Sequence, residues 1–278
     1  MQGVKVLEFL QDNTKNKPNE DFLQVLESDD YLVCAVADGV TRYVPEGASY
    51  PNPSLAREAA EVFCREAISH ISSASARGKM YDFLKSAFTL GNNAVYRLNY
   101  NMGITSGAVN YLANDYYGCQ GVVGFLDCQS FLHYGHVGDC GLLVFDNDLF
   151  PMFLSENPLS NLEQFREGWG FSSKDERKKF WTKTMRNNPS ARHLTYGSLT
   201  GQPEALSYVK TGVLYLEPGD TVIFFSDGIL PFIFERTFRE MIRDQKYVRN
   251  CIDFLTKKLA AKHVSNLDDD KAFVAFSV

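Results

Sequence analysis

What this sequence lacks excludes several classes of protein before any motif is read. None of its apolar runs approaches the ~20 residues that cross a bilayer as a helix, so no membrane span is expected. No long Lys/Arg run interrupts a chain of formal net charge -6, and the electrostatic footprint of a nucleic-acid binder is missing. The first residues, MQGVKVLEFL, show neither the basic lead nor the small-residue cleavage site of a secretory signal. The six cysteines stand far apart, without CxxC or a Cys/His cluster at zinc-finger spacing. Several fall in apolar strand patterns and read as reduced, buried thiols, which sets the expectation of a cytoplasmic protein. Neither an internal repeat nor a linker breaks the chain, and one domain over residues 1–278 is expected.

What is present is apolar and aromatic: 45% hydrophobic residues, with 21 Phe and 14 Tyr, suffice for a substantial core. Two stretches organise it. Tyr31 to Gly39 (YLVCAVADG) reads as a buried strand that stops at Asp-Gly, and Thr221 to Gly228 (TVIFFSDG) repeats the sentence. An aspartate at the mouth of an apolar core is costly unless positive charge meets it.

In chain order, Val4 to Phe9 alternates as a strand and a polar turn, QDNTKNKPNED, follows. Phe22 to Glu27 and Tyr31 to Gly39 add two strands, so the chain is expected to open as an antiparallel meander. Residues 43 to 53 read as a proline-rich loop. From Ser54, suited to an N-cap, apolar residues recur at helical spacing to Ile71, and a second helix is expected from about Met80 to Tyr100. Gly121 to Asp127, Ser130 to Val137 and Gly141 to Asp146 read as antiparallel strands with tight connections. Residues 147 to 206 are the least regular part and hold a charged helix from Ser173 to Arg186. A strand from Tyr208 to Leu216 and an ordinary EPGD turn lead into the second Asp-bearing strand. Helices from Phe232 to Asp244 and Lys246 to His263 precede a last strand, Ala272 to Val278. This order predicts two packed sheets flanked by helices.

The acids gather at strand ends: Glu20 and Asp21, Asp38, Asp139, Asp227, and Asp268 to Asp270. Asp-Gly after a strand is an ordinary turn dipeptide, so no one of these signifies a ligand. Several together do. Oxygen donors without thiolate or paired His suit a hard octahedral cation, Mg2+ or Mn2+. Glycine after Asp38 and Asp227 lets the backbone turn sharply, and the Gly39 carbonyl can itself face a metal.

In family order, NED at 19–21, VADG at 36–39, GCQGVVGFL at 118–126, HVGDCGLLVF at 136–145, YGSLTGQPEAL at 196–206, EPGDTVIFFSDGI at 217–229 and DDDKAFVAF at 268–276 cover essentially the whole chain. The sequence thereby resembles the metal-dependent protein phosphatases of the PPM (PP2C-like) family, bacterial type. The resemblance implies an α+β fold, a four-layer α/β/β/α sandwich of two mainly antiparallel sheets flanked by helices. It also implies two Mn2+ or Mg2+ ions. Asp38 would bridge both, Asp21 and the Gly39 carbonyl would help hold one, and Asp227 and Asp269 the other. Glu20 would act mainly through metal-bound water, and Asp139 matches a third, weaker metal position. The implied reaction is hydrolysis of phosphoserine or phosphothreonine by water activated between the ions, with no protein nucleophile. The implied partner is a phosphoprotein, in opposition to a Ser/Thr kinase.

The match departs at four places. Eukaryotic members often carry His after ADG, but here stand Val40, Thr41 and Arg42. The general acid is left open among a metal-bound water, His70, His133, His136, His193 and His263. The family's substrate-phosphate arginine before NED is replaced by Lys15, Asn16 and Lys17, so Lys17 or Lys15 can stand in as a point charge, with Arg42 a second candidate. Cys119 and Gln120 replace small hydroxyl residues. In DDDK an acid-acid pair replaces acid-amide, and Asp269 takes the ligand role by register with the last strand. Residues 147–206 occupy the place of the family's mobile flap and are expected to shape substrate access. Two other readings accompany the enzyme: a non-catalytic signalling adaptor with the same fold, and a small-molecule phosphatase.

Overall fold

The computed structural model describes residues 4–14, 17–44, 49–74, 80–159, 162, 169–190, 195–264 and 266–278. Lys15, Asn16 and His193, named above, lie outside them, as do residues 45–48 of the proline-rich loop.

The strands are β1 (Lys5–Gln11), β2 (Asp21–Glu27), β3 (Tyr31–Gly39), β4 (Cys119–Asp127), β5 (Phe131–Val137), β6 (Gly141–Phe145), β7 (Pro151–Leu154), β8 (Lys210–Tyr215), β9 (Thr221–Phe225) and β10 (Lys271–Ser277). The α-helices are α1 (Leu55–Ala74), α2 (Met80–Asn101), α3 (Lys174–Lys179), α4 (Leu230–Ile233), α5 (Arg236–Asp244) and α6 (Val248–Ala260). One sheet runs β2-β3-β4-β5-β8 and the other β1-β10-β9-β6-β7, with antiparallel pairing throughout the described ladders.

Alternation along the strands builds the layers. On β3 and β4 the even-numbered Leu32, Cys34, Val36, Val122 and Leu126 meet Val222, Phe224, Val274 and Phe276 of β9 and β10 between the sheets. The odd-numbered Val33, Ala35 and Ala37 turn outward under α1 and α2, against Phe63 and Phe88. Ile223, Phe225 and Phe273 turn outward from the other sheet, under Phe232, Phe238 and Leu255. The result is the four-layer α/β/β/α sandwich that the sequence implies. Burying each such Phe is worth about 1.5–3 kcal/mol, so the contacts hold the layers together firmly. Two of them are keyed. A Cβ on Gly124 would overlap the Phe224 ring across the sandwich, and one on Gly121 would overlap Phe63 of α1.

Several expectations need correction. The chain does not open as a meander: β2 and β3 form a hairpin, but β1 pairs with β10 in the opposite sheet, Lys5 beside Ser277. Both faces of β1 are partly apolar, and no local pattern distinguishes a neighbour in sequence from one at the far end of the chain. Likewise β6 leaves β5 at Gly138-Asp139 and joins the other sheet beside β9. The edge strand β7 falls within the segment read as irregular. It is short, mostly exposed and begins with Pro151, which an edge tolerates. The helix expected from Phe232 to Asp244 is broken, because Glu235 is extended between α4 and α5. The charged helix starts as read, with Ser173 accepting a hydrogen bond from the Glu176 N–H, and passes into π-helix over Phe180–Met185.

Among the described residues no helix is long and apolar enough to cross a membrane. Their cysteines are all free, and five are buried; only Cys128 is exposed.

Candidate functional site

The strand pattern itself delivers the acids. Asp38 continues the even-numbered face of β3 that points between the sheets, and Asp21, first residue of β2, lies opposite it in register. From the other sheet, Ser226 follows β9 and donates its hydroxyl to Asp21 Oδ2 at 2.7 Å, with Asp227 next in sequence. Ser226 is locked by backbone pairing to Ala272 at 2.9 Å, which carries the end of β10 and the preceding acids to the same mouth.

Charge is heavily unbalanced there. Burial raises the Asp21 carboxyl well above the ordinary range; the Ser226 hydrogen bond opposes this, while Asp227, Asp270 and Asp269 push it further up. Burial also raises Asp38, followed by the charges of Asp21, Asp227, Asp139 and Asp269. Four of the acids singled out in the sequence, Asp139, Asp227, Asp269 and Asp270, are therefore near enough to act on Asp21 or Asp38. Among the described residues, however, no three or more His, Cys, Asp and Glu side chains are gathered in a set that could hold a metal ion as they stand.

Glu20, one residue from Asp21, is treated quite differently. Its Oε1 accepts from Tyr50 Oη at 2.6 Å and from Ser54 Oγ, and its Oε2 accepts from Thr41 Oγ1 at 2.6 Å and Lys17 Nζ at 3.2 Å. The same Ser54 oxygen accepts from the Ala56 N–H as the cap of α1. Glu20 is thus a fully solvated carboxylate whose solvent is protein.

Asp270 is likewise occupied: Oδ1 accepts from the Asn13 N–H at 2.9 Å and Asn13 Nδ2 at 2.6 Å, and Oδ2 from the Glu20 N–H at 3.0 Å. It ties β10 to the segment before β2. Asp269 is about a quarter exposed and lies 3.7 Å from Lys17 Nζ. Asp139, in the turn after β5, donates its N–H to Gln120 Oε1 at 2.5 Å.

Gly39 sits where a side chain has no room, since a Cβ would come 2.5 Å from the Ala56 carbonyl and 2.9 Å from that of Glu20. Gly228 is similarly confined by the Asp270 carbonyl. Arg57 of α1 donates to the Asp21 carbonyl and pins the strand start.

Neither proposed phosphate ligand is held ready. Lys17 lies inside the acid group, within 3.4 Å of Asp270 as well as Glu20. Burial pulls its pKa down, but Glu20, Asp270 and Asp269 together raise it above the ordinary value. Arg42 donates to Tyr117 Oη at 2.6 Å and the Ala113 carbonyl at 3.1 Å, with its guanidinium over the Tyr117 ring. Of the histidines, His133 lies 3.9 Å from Asp127, His70 packs beside Phe83 and His263 is exposed. His136 is buried, and burial lowers its pKa to about 4. Among the described residues none of these four hydrogen-bonds an acid of the group.

Tyr50, Thr41, Ser54, Asn13 and Ser226 were not singled out as site residues in the sequence. Ser226 had a signal, lying beside Asp227 in the Asp-bearing strand, and Ser54 had one as a cap; Tyr50, in a proline-rich loop, had none.

A family profile for protein phosphatase 2C matches residues 12–269. The chain belongs to the protein phosphatase 2C family. Its fold is similar to that of the Mycobacterium tuberculosis serine/threonine phosphatase PstP/Ppp, at 17% identity and TM-score 0.60, covering 99% of this chain and 98% of that one. It is also similar to the serine/threonine phosphatase Stp1 from Staphylococcus aureus, at 11% identity and TM-score 0.62, over 99% and 95%. RsbX in complex with magnesium matches at 14% identity and TM-score 0.55, over 99% and 94%. A search of curated proteins by sequence gave no match.

Proposed function

We propose that the chain is one phosphatase domain that hydrolyses phosphoserine and phosphothreonine in proteins, with Mn2+ or Mg2+ as its cofactor. The observation that carries this reading is the gathering of Asp139, Asp227 and Asp269 around the register-paired Asp21 and Asp38 at one mouth of a protein phosphatase 2C sandwich. Carboxylates gathered this closely, with Asp21 and Asp38 pushed upward by burial and by their neighbours, are stabilised by a cation, and an all-oxygen donor set fits a hard divalent one. RsbX, a structural neighbour, is described with magnesium.

Asp38, with Asp21 and the Gly39 carbonyl on one side and Asp227 and Asp269 on the other, would hold two ions; Asp139 would serve a third. When bound, such ions supply the positive charge that ionises water and neutralises phosphoryl oxygens. The chain's own residues do the rest. Ser226 orients Asp21 through its hydroxyl, while the Gly39 backbone packs against Ala56 of α1 and the Gly228 backbone against Asp270. Glu20, with all four of its donors in place, holds Lys17, Thr41, Tyr50 and Ser54 in one arrangement and orders solvent beside Asp21. His136 is kept neutral by burial. The enzyme would be cytoplasmic and act against a Ser/Thr kinase. No specific observation favours an adaptor or a small-molecule phosphatase.

The test combines two measurements. Phosphate release from a phosphothreonine peptide should require added Mn2+ or Mg2+, and calorimetry should register Mn2+ binding that Asp227→Ala weakens. Absence of both sinks the reading.

A further inference from the structure

Between the acid group and the segment before β8 lies a cavity of about 800 Å³. Asp139 and Asp227 line one side, while Lys174, Arg177 and Lys178 of α3 line another. Among the described residues none of these three cations makes a salt bridge. The charge behind them is also in surplus. Lys178 is lowered by burial, with Asp115 opposing and Arg186 and Arg42 adding to the effect. The one carboxylate among those neighbours is already committed, since Asp115 accepts both Arg186 nitrogens, at 2.6 and 3.2 Å.

A phosphate dianion approaching five carboxylates needs cations that are free to turn toward it. Lys17 is paired with Glu20 and Asp270, and the Arg42 guanidinium is directed to Tyr117 Oη and the Ala113 carbonyl. The helix α3 carries cations that, among the described residues, are not so paired.

The rest of the wall is mixed, with Ser155, Glu156, Asn157 and Asn266 on its polar part and a broad apolar part beside them. Leu159, Trp181, Leu230 and Phe234 line it, and Phe234 is 62% exposed, a large ring facing open space. A cavity with cations beside an aromatic wall selects an anionic group flanked by a bulky apolar one.

We propose that Arg177 and Lys178 of α3, with Lys174 at the rim, are the receptor for the substrate's phosphate, and that Trp181 and Phe234 seat a bulky apolar residue adjacent to the phosphorylated one. This rests on the phosphatase reading and specifies its substrate class: phosphopeptides with an aromatic or large aliphatic neighbour. It moves phosphate recognition from the chain before NED to the segment preceding β8.

The experiment titrates a fluorescent peptide containing phosphothreonine followed by Phe into full-length protein carrying Asp38→Asn to block turnover, and follows anisotropy. Adding Arg177→Gln and Lys178→Gln should weaken binding by about tenfold or more, whereas Arg177→Lys with Lys178→Arg should hold it within about threefold. Exchanging the peptide Phe for Ala should cost severalfold, and Trp181→Ala should erase that preference. Thermal melts of each variant separate lost binding from lost fold, and the charge-conserving pair supplies a folded control. Unchanged binding by the Gln pair, or equal loss for phosphorylated and unphosphorylated peptides, overturns the proposal. If the wild-type protein releases phosphate with Mn2+ while the Gln pair binds normally, the phosphatase reading stands and this one falls. If no phosphate is released, the phosphatase reading falls separately.

Discussion

Glu20, which is buried, and Asp38, which is half-buried, are carboxylates at the same mouth, and they live in opposite environments. Glu20 receives four side-chain donors, one of them the Lys17 ammonium. Asp38 faces Asp21, Asp227, Asp139 and Asp269. The protein has solvated the first internally and left the second in need of external charge. On the proposed reading, a carboxylate surrounded by its own kind is the one that takes a cation, while one already satisfied acts through the groups it holds. That distinction cannot be drawn from residue type, since both are acids at strand junctions.

Four experiments break or sharpen this contrast. The largest effect should come from Asp38→Ala, which should reduce metal-dependent phosphate release by roughly a thousandfold, measured as kcat/KM on a phosphothreonine peptide. A variant that retained a tenth of the activity would place Asp38 with the scaffold.

Next, Glu20→Ala removes the nearest of the carboxylates around a mostly buried Lys17 and strands the Tyr50, Thr41 and Ser54 hydroxyls; unfolding in urea should show a loss of about 3 kcal/mol. Stability within a few tenths of wild type would show that Glu20 holds nothing in place.

His136 offers a test away from the acids. It lies near Glu156 and Lys210, and its Nδ1 has no hydrogen-bond partner among the described residues. Its folded pKa of about 4 is below the ordinary 6.5, so the neutral form is favoured in the folded state. The stability tied to it is fully present above pH 6.5 and is lost as pH falls toward 4, by up to about 3 kcal/mol. Denaturation of His136→Phe should lack that part of the acid sensitivity; an unaltered profile would show that His136 does not titrate there.

The smallest effect, with the opposite sign to Glu20→Ala, is expected from Asp38→Asn in chelator-treated protein. Removing one charge from the repelling group should stabilise by roughly 1 kcal/mol, seen as a raised Tm. A fall in Tm would mean that Asp38 is compensated internally after all.

Much of this was legible in the chain. Tyr31 to Gly39 is β3 as read, because an apolar run ending in Asp-Gly specifies both a buried strand and its stop. The sandwich followed from the element order and from the family motifs. What escaped depended on partners remote in sequence. Lys5 finds Ser277, and β6 finds β9, by packing that no local period encodes. The shell of Glu20 escaped for the same reason: Tyr50 and Thr41 come from a loop whose composition signals only a turn. The choice between Asp269 and Asp270 was made on register, and Asp270 turns out to be occupied by Asn13 and the Glu20 N–H.

The notch at Gly124 that receives the Phe224 ring has a further consequence. Asp21 and Asp38 ride on one sheet, Asp227 and Asp269 on the other, so the gap between the two halves is the thickness of the sandwich at its rim. The ring and its notch act as a dowel that sets this thickness. A side chain at 124 would wedge the halves apart like a shim, and the proposed cation site would open while its strands and helices still stood.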